Sequence, residues 1–174
     1  MDEIDRKILK ILQHDCYASQ AEIASRVGLS TPSVNERIRK LEKGGIIRKY
    51  VAILDCGKIG IDITAFIEVF IEHPKHESLF AKEMKKLKEV QECHFVTGEG
   101  SCLLKVKAQN RLSLKNLLLD KINSMTGVRG TRTILVLSTA KEEISLNLDD
   151  REVELESRGN RTGKKNEREN KTRN

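Results

Sequence analysis

The chain has 174 residues, of which 38% are hydrophobic and 33% charged, and its formal net charge is +6. That length suits one ordinary domain or two small ones. No run approaches the roughly 18 apolar residues of a membrane-spanning helix, and the charged opening MDEIDRK lacks the apolar core of a signal peptide, so a cytoplasmic protein with no membrane partner is expected.

The positive charge lies at the two ends. Residues 1–60 carry 11 Lys and Arg against 8 Asp and Glu, residues 61–150 carry 13 against 13, and residues 151–174 carry 8 against 5. A modestly basic first segment suits a polyanionic partner. Cys16, Cys56, Cys93 and Cys102 are scattered without a C-x-x-C spacing, so free or buried thiols are expected. His73 and His76 in EHPKHE have no third ligand nearby in sequence. No metal site and no cofactor are therefore predicted.

The first segment, 1–60, reads as three short helices. Ile4, Ile8, Ile11 and Leu12 recur at helical spacing and predict a helix over 2–14. Ser19 with Glu22 forms a capping-box pattern, Ile23 and Val27 give that helix an apolar side, and Gly28 is placed to end it. Only Gly28, Leu29 and Ser30 then intervene before a third helix. Ser30 can cap it, and Pro32 is tolerated in its first turn. Gly44 and Gly45 end it, and IIRKYVAIL, 46–54, reads as a strand.

The second segment, 61–149, has another rhythm. DITAFIEVFIE alternates, with Ile63, Ala65, Ile67, Val69 and Ile71 on one side and Phe66, Glu68 and Phe70 among those on the other, which is a strand. Leu79, Phe80, Met84 and Leu87 mark a helix. VQECHFVT and SCLLKVKA form two strands around a Gly98-Glu99-Gly100 turn. Leu114, Leu117, Leu118, Ile122 and Met125 mark a second helix, and VRGTRTILVLST a fourth strand. The order βαββαβ is the ferredoxin-like arrangement. EEISLNL is expected to add a short edge strand. The third segment, 150–174, is charged, has almost no apolar residues after Leu155 and is expected to be disordered.

Three helices with a tight turn between the second and third fit a helix-turn-helix, and a strand directly after them fits its winged form. The fold class expected is thus α+β, a winged helix-turn-helix domain followed by a ferredoxin-like domain. In the third helix Val34, Ile38 and Leu41 define the core side. Pro32, Ser33, Glu36, Arg39 and Lys40 fall on the far side, with Thr31, Asn35 and Arg37 at its margins. Arg suits guanine edges, Asn suits adenine, and small hydroxyls reach phosphates. With Arg48 and Lys49 in the following segment, these ten residues are the candidate contacts to double-stranded DNA.

The stretch IDRKILKILQHD…AEIASRVGLSTPSVNERIRKLEKGGIIRKYVAILD resembles the N-terminal domain of the Lrp/AsnC, or feast/famine, regulators. The following segment resembles their ligand-sensing βαββαβ domain, so the likeness covers about residues 1–145. It implies a transcriptional regulator that dimerises through the sheets of its second domain, with dimers often assembling into octamers. It also implies an amino-acid effector loop. In the family that loop reads Gly-x-x-Asp followed by an aromatic; here it reads VTGEGSC. Gly98 matches, but Ser101 replaces the Asp and Cys102 the aromatic. A hydroxyl cannot offset an ammonium charge as a carboxylate does, although Glu99 could substitute from nearby. Thr97, Gly98, Glu99, Gly100, Ser101 and Cys102 are the implied effector contacts.

The sequence holds no nucleophile beside a base, no phosphate loop and no metal-ligand cluster, so no enzyme is expected. The alternative to a ligand-switched regulator is a nucleoid-architecture protein that bends or wraps DNA without a small effector.

Overall fold

The structure, a computed structural model, describes residues 1–98 and 100–148. Glu99 and the expected tail, 150–174, lie outside the described residues. The chain divides into two compact units. One holds Met1–Val51 together with the described residues from Glu143 on, and the other holds Ala52–Glu142.

The first unit is built on α1 (Glu3–His14), α2 (Gln20–Val27) and α3 (Thr31–Lys43). Each start is chemically specified. Asp2 and Asp5 form a capping box on α1, Ser19 and Glu22 form one on α2, and Ser30 accepts from the Ser33 amide at the start of α3. Gly28 ends α2 at φ +72°, a left-handed conformation that favours glycine. Its neighbour Leu29 donates its amide back to Ala24 O, closing the tight turn. Ile8, Ile23, Val34, Ile38 and Leu41 meet in the core. Full burial of each such side chain contributes roughly 1.5–3 kcal/mol.

Two expectations for this unit fail. No strand forms over 46–54. The amides of Ile46 and Ile47 are spent on Leu41 O at the end of α3, and Tyr50 turns its hydroxyl back onto Glu42 Oε1 at 3.1 Å. The following Val51, Ile53 and Leu54 stay exposed. A segment of strand-like composition makes a strand only where another backbone completes the ladder, and none does among the described residues of this unit. EEISLNL is no edge strand either. It lies along α1, where the Gln13 amide clasps both backbone groups of Leu146 at 2.7 and 3.2 Å. Leu148 packs on the helical core, so Glu143–Leu148 belongs with the first unit.

The second unit is a four-stranded antiparallel sheet in the order β2-β3-β1-β4, with β1 Ile63–Ile71, β2 Val90–Phe95, β3 Cys102–Ala108 and β4 Val128–Leu135. The helices are α4 (Glu77–Met84) and α5 (Arg111–Asn116), the latter continuing through a π-helical turn, Leu117–Ile122. This is the ferredoxin-like topology. One face of the sheet is core. Ala65, Ile67 and Val69 of β1 and Cys102, Leu104 and Val106 of β3 are fully buried under Phe80, Met84, Leu114, Leu117 and Ile122. The strict alternation in β3 follows from one face being covered and the other not.

The uncovered face carries Phe66 and Phe70 on β1, with Glu68 between them. Phe66 lies between Lys105 and Ile134, and Phe70 lies beside Gly130. Glu68 accepts from Arg132 through both carboxylate oxygens, at 2.7 and 2.8 Å. The register shift at Phe70/Ile71 leaves Arg129 without a partner in the ladder, and its guanidinium lies 5.8 Å from the Phe70 ring.

Candidate nucleic-acid interface and effector loop

The outer side of α3 is built by subtraction. Val34, Ile38 and Leu41 point into the core, and Thr31, Pro32, Ser33, Glu36, Arg39 and Lys40 are left exposed. Ser30 and Ser33 bring their hydroxyl oxygens to 2.9 Å at the helix start, beside backbone N–H groups that have no intrahelical acceptor. That end of a helix suits a phosphate oxygen.

The charged residues of this helix have unequal freedom. Arg37 donates Nη1 to Asp2 Oδ2 and to Asp5 Oδ1, both at 2.7 Å. It fastens α3 to the start of α1, so this margin residue is held by two carboxylates rather than standing free. The Arg37 contact holds the Asp2 carboxyl below its usual range, after the larger effect of the Asp5 amide. Asn35 Oδ1 accepts from Gln20 Nε2 at 3.3 Å, so its amide is oriented by α2. Lys40 is paired with Glu36 at 2.8 Å one turn earlier, and that hydrogen bond lowers the Glu36 carboxyl. Glu36 thus moderates a lysine on the outer side. Arg39, Arg48 and Lys49 are exposed and have no ionic partner among the described residues. Lys43 shares this freedom, and the sequence reading missed it. Its position four residues after Arg39 was the available signal.

The loop between β2 and β3 has a different geometry. Thr97 and Gly98 are exposed, and Gly98 sits at φ +129°. A Cβ on Gly100 would lie 3.5 Å from Glu68 Cβ. Ser101 is engaged with the end of β1: its amide donates to Val69 O at 3.0 Å, and its hydroxyl accepts from the Ile71 amide at 3.2 Å. Cys102 is fully buried on the core face of β3. A side chain there cannot meet a ligand in the loop, which corrects the sixth implied contact. The alternation of β3 decides this, since Cys102 shares its parity with Leu104 and Val106.

Comparison with known proteins fixes the lineage. Residues 64–146 match the Lrp/AsnC ligand binding domain, and residues 1–48 match a winged helix-turn-helix DNA-binding domain. The HTH-type transcriptional regulator FL11 of Pyrococcus horikoshii is 40% identical over 146 residues, 84% of this chain and 95% of that protein. The chain belongs to the Lrp/AsnC family. The leucine-responsive regulatory protein of Escherichia coli is 35% identical over 82% of this chain and 88% of its own length. Among solved Lrp/AsnC-like structures, a transcriptional regulator of Neisseria meningitidis in complex with L-methionine superposes with a TM-score of 0.81 at 32% identity, covering 86% of this chain and 97% of that one. Escherichia coli AsnC superposes with a TM-score of 0.77 at 26% identity, over 82% of this chain and 96% of its own. This Lrp/AsnC chain is accordingly a DNA-binding transcriptional regulator, and its curated relatives are regulators rather than enzymes.

Proposed function

We propose that this regulator reads a near-palindromic stretch of double-stranded DNA as a homodimer, or as a higher assembly of dimers such as an octamer. The two α3 helices enter successive major grooves, and Arg39 is the principal base-reading side chain. The observation that carries this is the state of Arg39. It is exposed on the side of α3 opposite Val34, Ile38 and Leu41, and no carboxylate among the described residues competes for it. A guanidinium with its donors unspent suits the paired acceptors of a guanine edge. A lone helix-turn-helix contacts few base pairs, whereas two helices about 34 Å apart read one sequence twice. The apolar outer face around Phe66 and Phe70 supplies a surface for a second copy.

The Neisseria relative binds L-methionine. In this chain an amino acid or related molecule would meet the β2–β3 loop through Thr97, Gly98, Gly100 and Ser101, and Ser101 offers a hydroxyl that is already spent on β1. That engagement favours a second reading, an architectural protein without a small-molecule switch. The deciding experiment is selection of a preferred duplex from a random pool, followed by gel shifts. A ligand-free architectural protein gives a long footprint and little sequence preference. The regulator gives a short, symmetric site that Arg39→Ala binds at least tenfold more weakly. Unchanged binding by Arg39→Ala would move the reading element off α3.

A further inference from the structure

Two thiols that look unrelated in sequence meet in the sheet. Cys93 of β2 and Cys102 of β3 bring their sulfurs to 3.5 Å. The register places Cys93 opposite Leu104 and Phe95 opposite Cys102, so the two cysteines are diagonal neighbours on one face. Their sulfurs are about 1.5 Å farther apart than a bonded pair, so closing the bond needs the two strands and both side chains to adjust. Cys102 is fully buried, and Cys93 is half-buried at the edge of the same core.

Their surroundings make them unequal. The hydrogen bond from Cys102 holds the Cys93 thiol down to about 7 against the cost of burial, with His94 and Lys85 adding positive charge. The same bond pushes the Cys102 thiol up, with burial and the Cys93 charge acting in the same direction and Glu77 adding slightly. A half-buried cysteine with thiolate character beside a buried second one is the arrangement of an attacking and a resolving cysteine. The pair brackets the Val96–Ser101 loop, so a bond between them would join the two strands at its base.

We propose that Cys93 and Cys102 are a redox-active dithiol that closes to a reversible disulfide on reaction with hydrogen peroxide. The Cys93 thiolate attacks one peroxide oxygen. The O–O bond breaks, Cys93 becomes a sulfenic acid, and the departing hydroxide takes up the proton that Cys93 had released, giving water. The Cys102 sulfur then attacks the Cys93 sulfur. The S–S bond forms, the S–O bond breaks, and the hydroxyl leaves as a second water with the Cys102 proton. Two thiols are oxidised and one peroxide is reduced to two waters, and two small thiols reverse the bond by successive exchange, leaving as their own disulfide.

The test uses the full chain, reduced beforehand, exposed to equimolar hydrogen peroxide, then unfolded and alkylated. Trypsin leaves both cysteines in one peptide, Glu89–Lys105, because no Lys or Arg lies between Lys88 and Lys105. The expected peptide is two hydrogen atoms lighter than its reduced form and carries no alkyl group. Dithiothreitol before alkylation restores two. A further cut after Glu99 yields fragments that stay joined until reduced. In Cys93→Ser, Cys102 stays alkylatable at the same peroxide dose. The proposal is overturned if Cys93 accumulates as sulfinic acid while Cys102 remains a thiol. It is equally overturned if both remain thiols at a dose that oxidises the exposed Cys16. The main readout is on the unmutated protein and does not depend on a variant folding.

Discussion

Arg37 Nη1 lies 2.7 Å from Asp5 Oδ1, so the helix that would meet DNA is fastened to the first turn of α1. Asp2 Oδ2 completes the clamp at the same distance. The two aspartates also cap α1, so one cluster closes a helix end and sets the position of α3.

Replacing Arg37 with Gln should therefore lower the melting temperature of the first domain and weaken specific DNA binding together. The stability effect has a defined pH dependence. The Asp2 carboxyl is depressed in the folded state, so its contribution is fully present above the ordinary aspartate value of 3.8 and is lost as pH falls through the depressed value. The gap in melting temperature between wild type and Arg37→Gln should be constant near neutrality and shrink below about pH 4. A gap that is the same in strong acid would mean that Arg37 acts through packing alone.

The Glu36–Lys40 pair makes a prediction of opposite sign. Lys40→Ala should weaken all DNA sequences about equally and reduce the salt slope by about one. Glu36→Gln frees Lys40 and removes a negative charge from the outer side, so it should strengthen non-specific binding and steepen the salt dependence. Gel shifts at two salt concentrations on an unselected duplex measure both. If Glu36→Gln instead weakens only the selected sequence, Glu36 accepts from a cytosine amine and is a reading residue.

Much of the fold was legible because its signals are local. Ser19 and Glu22 capped α2 as their spacing required, and the alternation of Ile63 to Ile71 placed Ala65, Ile67 and Val69 inward. What could not be read depends on partners distant in sequence. The segment 46–54 has the composition of a strand, but a strand is a property of a pair. Arg37 looked like a margin residue of the DNA-facing side because a helical wheel carries no information about Asp2 and Asp5 on another helix. Cys93 and Cys102 looked scattered for the same reason. Their meeting is fixed by the β2–β3 register, which no single-strand periodicity contains. Gln13 reaching Leu146 spans 133 positions and had no sequence signal.

The outer sheet face predicts assembly. Phe66 sits at the centre of β1 between Lys105 and Ile134, partly exposed, and Ile134 beside it is exposed as well. A second copy covering this face would bury both phenylalanines. Phe66→Asp places a charge where that burial occurs, and an unpaired charge there is costly. Light scattering at micromolar concentration should give at least a dimer for wild type and a smaller species for Phe66→Asp, with circular dichroism showing that the variant remains folded. A wild-type monomer would remove this face as the interface.

The effector loop turns on one oxygen. The Ser101 hydroxyl accepts from the Ile71 amide at 3.2 Å and faces Ile71 O at 3.5 Å, so it has no charge to offer an ammonium group and little capacity left. Ordinary amino acids should bind wild type more weakly than about millimolar, equivalent to less than about 4 kcal/mol. An aspartate at this position could still accept from the Ile71 amide with one oxygen and present the other to a ligand. The charge-assisted bond would then add roughly 1.5–3 kcal/mol, or about ten- to hundredfold in affinity. Calorimetry of wild type and Ser101→Asp against the twenty amino acids separates the cases. Micromolar binding by wild type would mean that a neighbouring group already supplies the missing charge. No binding by Ser101→Asp would mean that the pocket is lost beyond this residue. The architectural reading then prevails.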